Sequence, residues 1–459
     1  MDFATSIERI ERFFEALLKR ASLAVLFVVS LFRRYPPVKI TNVERTLVDV
    51  PFTPRQQKIT ARTVYNWSIL ELCKVTTNTG IIGWGETVVH YTFARVTDQS
   101  IARVMGKSPA DLLLDDSLGA GLQMALYDVV GKALDVPCYK LMGNKVRDWA
   151  PISWWSNEGS PEDWAGEAED AVEKGYTSIK LKQRPWRDIV AQMEAVTAVV
   201  PSYFKLDLDA NGSMQNAAAA MPIMRKLEQF DNVAMFETPI PQHDIMGNRQ
   251  LRQAISRPIA MHFGSPPFTT VIREEVCDGF VIGGGATQVI RDSTLSAAAN
   301  MPFWLQLVGD GLTTTWAAHL GAALSHASWP AITCLNLYSH HLLKQPIDVI
   351  GGFHRVPEGP GLGIETDEEA IVRYTVPEEA LQPFRDRGEV YNKPRPRIIR
   401  TVVYPDGSVV HMPDISKAMS LTPYVPGIRL ETWPEEDNKE WKDLWSRIQD
   451  EPVRERRTA

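Results

Sequence analysis

Thr177-Ser178-Ile179-Lys180-Leu181-Lys182 decides how this chain is read. It is a short β-prone run whose apolar residues alternate with two lysines, so both ammonium groups leave the strand on one face near its end. The same form recurs downstream. Phe204–Asp209 ends in an aspartate, with Asn211 just beyond; Asn232–Glu237 ends in a glutamate before Thr238-Pro239; Arg257–His262 ends in a histidine. Charged groups closing consecutive apolar strands need partners, and across a shared mouth they supply one another.

Working outward, further runs of this kind are Ala150–Trp154, Asp278–Gly283, Pro302–Leu307 and Ala331–Asn336. Each is trailed by a helical stretch or a turn. Their ends recur every ~20–30 residues, the length of one βα unit. Eight such units close a (β/α)8 TIM-like barrel. A doubly wound sheet alternates similarly, but no GxGxxG follows the first strand. The expected class is therefore α/β, with an N-terminal α+β capping domain and a C-terminal extension. Residues 37–70 alternate as strands, Thr77-Asn78-Thr79-Gly80 is turn chemistry, and residues 97–143 read as helical. The expected divisions are 1–35 as an N-terminal extension, 36–147 as the cap and 148–345 as the barrel. Residues 346–383 form a segment closing onto the cap, and 384–459 an extra C-terminal region. That last region carries a hairpin (Ile398–Tyr404, then Ser408–Met412) and a helix with Trp441 and Trp445.

Composition narrows the function. A chain of 459 residues with 44% hydrophobic content builds a full core. The net charge of −7 offers no basic stripe for nucleic acid. Four scattered cysteines without CxxC spacing suit a reducing, cytoplasmic setting. Ala21–Phe32 is apolar but too short to span a bilayer, while Ile7–Leu18 is amphipathic, so membrane contact through residues 1–34 is an open alternative.

Barrel enzymes keep their chemistry at the C-terminal strand ends. Asp209 and Glu237 are hard oxygen donors suited to Mg²⁺; with His262 as a third ligand, Mn²⁺, Fe²⁺ or Zn²⁺ become candidates. The alternative is that both carboxylates only pair with the lysines. Lys182, crowded by Lys180 and a cation, has a lowered pKa and can act as a base. Candidate substrate contacts are Asn211, Trp154 or its neighbour Trp155, Gln306, Asn336 and Arg62. Arg62 lies with Arg55 and Tyr65 in the loop Thr53–Asn66. Gly283–Gly285 reads as a tight turn.

These motifs resemble the mandelate racemase/muconate lactonizing branch of the enolase superfamily, for which lysine-plus-magnesium chemistry is the general pattern. The likeness spans about residues 37–375. Gly83-Trp84-Gly85-Glu86 is similar to the family's capping-domain turn. Gln123-Met124-Ala125-Leu126-Tyr127-Asp128 with Gly131-Lys132-Ala133 is similar to the helix entering the barrel. Ile179–Lys182 is similar to its KxK, Leu208–Asn211 and Phe236–Pro239 to two metal-ligand strands, and Pro360-Gly361-Leu362-Gly363 to the segment after the barrel. The resemblance implies a metal-dependent lyase or isomerase that takes the α-proton of a small carboxylate. Dehydration of a hydroxy or sugar acid, or cycloisomerisation, fits best, in a homo-oligomer. Departures stand beside it. His262-Phe263 replaces the acidic fifth-strand ligand. Gly283-Gly284-Gly285, Trp304-Leu305-Gln306-Leu307 and Cys334-Leu335-Asn336 replace titratable groups of the last three strands. A non-catalytic ligand-binding protein on the same barrel is the alternative.

Overall fold

The computed structural model describes residues 37–456 apart from 93–94, 381, 385–389 and 420–422. The expectations for residues 1–35 lie outside these. Among the described residues no helix is long and apolar enough to cross a membrane.

The cap is an antiparallel sheet of β1 (Ile40–Asp49), β2 (Ile69–Thr77) and β3 (Ile82–Val88), in that order. The expected turn at 77–80 joins β2 to β3. Residues 54–60 are not strand as expected, but helix α1 (Pro54–Thr60). Pro54 stands in its first turn, where the missing N–H costs nothing. The 97–143 stretch is helical in pieces: α2 (Asp98–Val104) and the long α3 (Ala120–Leu134), separated by 3₁₀ turns. α3 lies so close on β3 that a β-carbon at Gly83 or Gly85 would collide with the carbonyls of Ala125 and Gly121.

One carboxylate explains why three separated motifs occur together. Asp128 of α3 accepts from the backbone N–H of Trp84 (2.9 Å) and of Leu362 (2.8 Å), and from Lys132 Nζ (2.7 Å). Gly361, at φ 69°, lies against Gly131 where no side chain fits. Cap strand, cap helix and post-barrel segment thus meet at a single buried acid.

The barrel strands are β4 (Trp149–Ser156), β5 (Ser178–Lys182), β6 (Lys205–Asp209), β7 (Val233–Glu237), β8 (Ile259–His262), β9 (Gly279–Ile282), β10 (Phe303–Leu305) and β11 (Ala331–Ile332). They pair in parallel and in sequence from β4 to β10. β11 pairs with β4, and a bridge between Gln306 and Ile332 joins β10 to β11, closing the ring. All eight expected runs are strands, although β11 keeps only two residues before the chain turns at Cys334, φ 62°. Helices alternate with these strands. Among them are α4 (Pro161–Glu173), with a Ser160/Asp163 capping box, α5 (Ile189–Thr197), α6 (Ala217–Leu227), α7 (Ile245–Ala254), α8 (Phe268–Glu274), α9 (Ala286–Ala298) and α10 (Gly311–Ala323). α10 is buried on nearly every side.

The C-terminal region is a separate antiparallel sheet, ordered β14-β12-β13-β15, of β12 (Ile398–Val403), β13 (Ser408–Met412), β14 (Arg429–Pro434) and β15 (Val453–Arg456). The expected hairpin is β12–β13. After α11 (Glu368–Tyr374), the last helix is α12 (Lys439–Arg447), where Trp441 and Trp445 stack at 4.9 Å beneath Arg397.

Two buried histidines make the fold acid-sensitive. His319 of α10, which meets Leu362 O at 3.1 Å, and His354 are both pulled down from 6.5 to about 4 by burial. Between those values the unfolded chain binds protons that the folded chain refuses, so stability rises with pH there. It is complete above about pH 6.5 and falls as pH drops toward 4. Each histidine contributes a slope on the order of 1.4 kcal/mol per pH unit. The urea midpoint at pH 5 is expected to lie well below that at pH 7. His319→Gln and His354→Phe should flatten that difference; an unchanged pH slope in both would refute the assignment.

Candidate active site in the barrel mouth

β5, β6 and β7 deliver their last charged side chains to one point. Lys180 is wholly buried. Its ammonium is ion-paired with Glu237, lies 3.3 Å from Asp209 Oδ2 and donates to Gln306 Oε1 at 2.7 Å. The ring of Trp304 lies 5.2 Å beneath it. Lys182 is ion-paired with Asp209 and reaches Asn211 Oδ1 at 3.3 Å. His262 Nε2 stands 3.2 Å from Glu237 Oε1, with its ring nearly half exposed. Arg184 adds a third cation at the rim, donating to Asn211 Oδ1 (2.9 Å) and Asp209 O (3.3 Å).

The two lysines are driven apart electrostatically. Burial opposes the charge on Lys180, but Glu237 and Asp209 outweigh it and hold its pKa above the ordinary value. Lys182 is lowered, first by burial and then by Lys180 and Arg184, with Asp209 pulling the other way. Burial would raise Asp209, yet Lys182 and Lys180 hold it far below the usual range. Beneath them, burial pushes Asp207 up to about 7. One lysine is therefore a fixed cation and the other is eased toward its neutral, basic form.

The cap closes one side. Tyr91 OH accepts from Gln306 Nε2 at 2.9 Å and its ring meets Trp67 edge-on, while Trp67 stacks on Trp155 at 5.5 Å. A cavity of about 240 Å³ continues from Gln306 and Tyr91 between cap and barrel, lined also by Glu86, Gln123, Thr313 and Trp316.

Not every candidate is brought here. Trp154 points outward, donating to Glu167 Oε2 (2.8 Å) against Tyr176; its neighbour Trp155 takes the mouth position, as strand alternation requires of one of the two. Both ends of the Asn336 amide are spent on the backbone of Trp155 (2.8 and 3.1 Å), tying the last strand to the first. Arg62 is buried in an ion pair with Glu158 at 2.8 Å, and Arg55 pairs with Glu167 and Asp170, so neither offers its charge to a ligand. His340 and His341, adjacent in the chain, turn to different partners outside the mouth, Asp367 and Asp310 respectively. Gly283–Gly285 is a close-packed turn against Gln306 and Asp116.

The donor set can be tested against a metal. Asp209 and Glu237 are buried oxygen donors on neighbouring strands, and neither Glu237 oxygen has a hydrogen-bond partner beyond its ion pairs. Two carboxylates completed by water suit Mg²⁺. Among the described residues no three His, Cys, Asp or Glu side chains converge as a cluster, so His262 flanks the pair without completing a triad.

Comparison with known proteins places this geometry. Residues 163–370 match the family described as enolase C-terminal domain-like. The proteins this chain is similar to are of the mandelate racemase/muconate lactonizing type. Among similar proteins, N-succinyl-L-Arg/Lys racemase of Bacillus cereus is 26% identical over 339 residues, covering 66% of this chain and 90% of that protein. D-xylonate dehydratase of Haloferax volcanii is 26% identical over 400 residues, covering 75% and 90%. A solved mandelate racemase/muconate lactonizing family protein from Azoarcus sp. EbN1 superposes with TM-score 0.61 at 26% identity, covering 74% of this chain and 98% of that one. At this mouth, Tyr91, Arg184 and Trp67 are residues that strand-end reasoning passes over. Arg184 lies two residues past the KxK and was within its reach; Tyr91 and Trp67 come from the cap and carry no strand-end signal.

Proposed function

We propose that this protein is a lyase or isomerase that removes the proton next to a carboxylate, with Lys182 as the base. The observation carrying this is the split pair of lysines: Lys180 is locked as a cation by Glu237 and Asp209, while Lys182 is lowered by burial and by Lys180. The superfamily is metal-dependent. Here Mg²⁺ would be held by Asp209 and Glu237, with His262 at the edge. When bound, it neutralises a substrate carboxylate and the charge that builds up as the α-proton leaves.

The chain's own groups do the rest. Lys180 remains charged and balances the buried carboxylates. Asn211, whose Oδ1 accepts from Arg184, also accepts from the Lys182 amine at the rim. Gln306, held between Lys180 and Tyr91, presents an amide that orients but cannot take a proton. The ends of β9 and β10 offer no titratable side chain, so two-base racemisation lacks its second base. One-base chemistry fits better: syn-elimination of water from a hydroxy or sugar acid, or cycloisomerisation. Relatives bearing such names include D-xylonate dehydratase, D-galactonate dehydratase and muconate cycloisomerase.

The test is α-proton exchange in D₂O. Mg²⁺-loaded protein is incubated with a panel of sugar acids, hydroxy acids and muconate, and followed by NMR. Exchange or product on at least one carboxylate is expected. Silence across the whole panel, with no Mg²⁺ binding by calorimetry, would overturn the reading.

A further inference from the structure

The family match ends at residue 370, and the Azoarcus protein is matched almost whole by about three quarters of this chain. The β12–β15 sheet follows that match, yet it is not a loose appendage. Trp186, from the loop after β5, is buried within the extension's own apolar cluster, beside Val402, Val410, Met412 and Leu430. Next to it, Arg187 donates to Glu158 at 2.8 Å and to Leu430 O at 3.4 Å. The N–H of Gly427 donates to Asp188 Oδ2 at 2.6 Å, and Asp188 caps α5. From the other side, buried Arg400 donates to Arg62 O at 2.7 Å, and Arg62 closes the ion pair with Glu158. The extension thus grips the loop after β5, the loop after β4 through Glu158, and the cap loop.

Its contact with the loop after β6 bears on the lysine. Tyr424 OH and Ser213 Oγ are 2.7 Å apart, and Ser213 Oγ also donates to Ala210 O at 2.6 Å. A serine hydroxyl has one proton and it is spent on Ala210, so Tyr424 is the donor. Burial pushes the Tyr424 hydroxyl up to about 12, so that proton stays in place at neutral pH. Ala210–Ser213 is the turn that carries Asn211, itself at φ 48°, against Lys182 and Arg184. Asparagine enters this left-handed region more readily than most side chains, and here the turn aims its amide oxygen at both cations.

We propose that the C-terminal extension is a working part of the mouth and that Tyr424 is a positioning residue. Its hydroxyl fixes the Asn211 turn against Lys182, while Trp186 anchors the facing loop. The role assigned to Lys182 rests on the function proposed above; the bracing of the loops does not. The consequence is a mouth whose lysine side is permanently built.

Tyr424→Phe removes one hydroxyl and leaves the ring's packing in place. In the full chain, hydrogen–deuterium exchange read by mass spectrometry should quicken at residues 210–216 roughly five- to tenfold, the scale of one lost hydrogen bond. The rest of the barrel and the thermal midpoint should hardly change. Ser213→Ala, which also loses the bond to Ala210 O, should quicken the same segment at least as much, and adding Tyr424→Phe to it should add nothing. Trp186→Ala should loosen residues 183–189 in the same way. On a carboxylate that the wild-type turns over, Tyr424→Phe should lower kcat by a similar factor with KM unchanged. Unchanged loop exchange in both Tyr424→Phe and Trp186→Ala overturns the bracing. Loosened loops with kcat intact, or with KM raised instead, overturn the positioning role. A wild-type protein that exchanges no α-proton defeats the proposed function; amide exchange then decides the bracing alone.

Discussion

Lys182→Ala is expected to reduce α-proton exchange on any carboxylate the wild-type protein accepts by on the order of 10²–10⁴-fold, the range a positioned general base contributes. The loss should fall on kcat more than on KM, because the amine acts as the proton leaves. Folding should tolerate the change. Lys182 keeps some contact with solvent, and Asp209 retains Lys180 at 3.3 Å as a partner. A matched Lys182→Arg variant should be nearly as inactive, since guanidinium stays protonated at any workable pH. The measurement is NMR in D₂O at saturating Mg²⁺, with urea midpoints alongside. Exchange that survives in Lys182→Ala would transfer the base role elsewhere. Wild-type activity should also climb with pH while Lys182 loses its proton, and level off at a lower pH than an ordinary lysine would permit, because its pKa is lowered.

The second large effect concerns stability. Glu237→Ala should cost roughly 3–5 kcal/mol, because it leaves the wholly buried Lys180 ammonium without its nearest carboxylate. Asp209 then has to balance two ammonium groups alone. Adding Lys180→Met should recover much of the loss, since an apolar chain of similar length removes the stranded charge. Urea titration with excess chelator isolates this from any metal effect. If Glu237→Ala alone is as stable as the double variant, the ion pair is not what holds the mouth together.

The strand ends were legible because alternation and chemistry point the same way. In Ile179–Lys182, Leu208–Asn211 and Phe236–Pro239, apolar residues face the helices and the charged ones have only the mouth to enter. What failed shows where that signal stops. At Trp154-Trp155 the sequence says that one ring faces in and the other out, but not which. Asn336 and Arg62 have plausible side chains for a ligand, yet each is consumed by a partner far along the chain: the backbone of Trp155, 181 residues away, and Glu158, 96 residues away. A donor's competitors are invisible until the fold brings them near. The loop Thr53–Asn66 is strapped down by such pairs, so its arginines serve the scaffold. Tyr91 and Tyr424 were missed for the converse reason, because a lone tyrosine outside the barrel carries no periodicity that aims it at the mouth.

The acid at position 128 also sets a timetable for the newborn chain. Its partner at Trp84 is 44 residues behind it, but its partner at Leu362 is 234 residues ahead. The cap, made before the barrel, therefore cannot complete its own buried polar contacts until 234 residues have followed Asp128. A fragment stopping short of that point would keep the Trp84 and Lys132 bonds to one oxygen of Asp128 but leave the other without Leu362, and the seam open, so nascent cap sheets should wait, exposed and dependent on chaperones, for the barrel's return stroke.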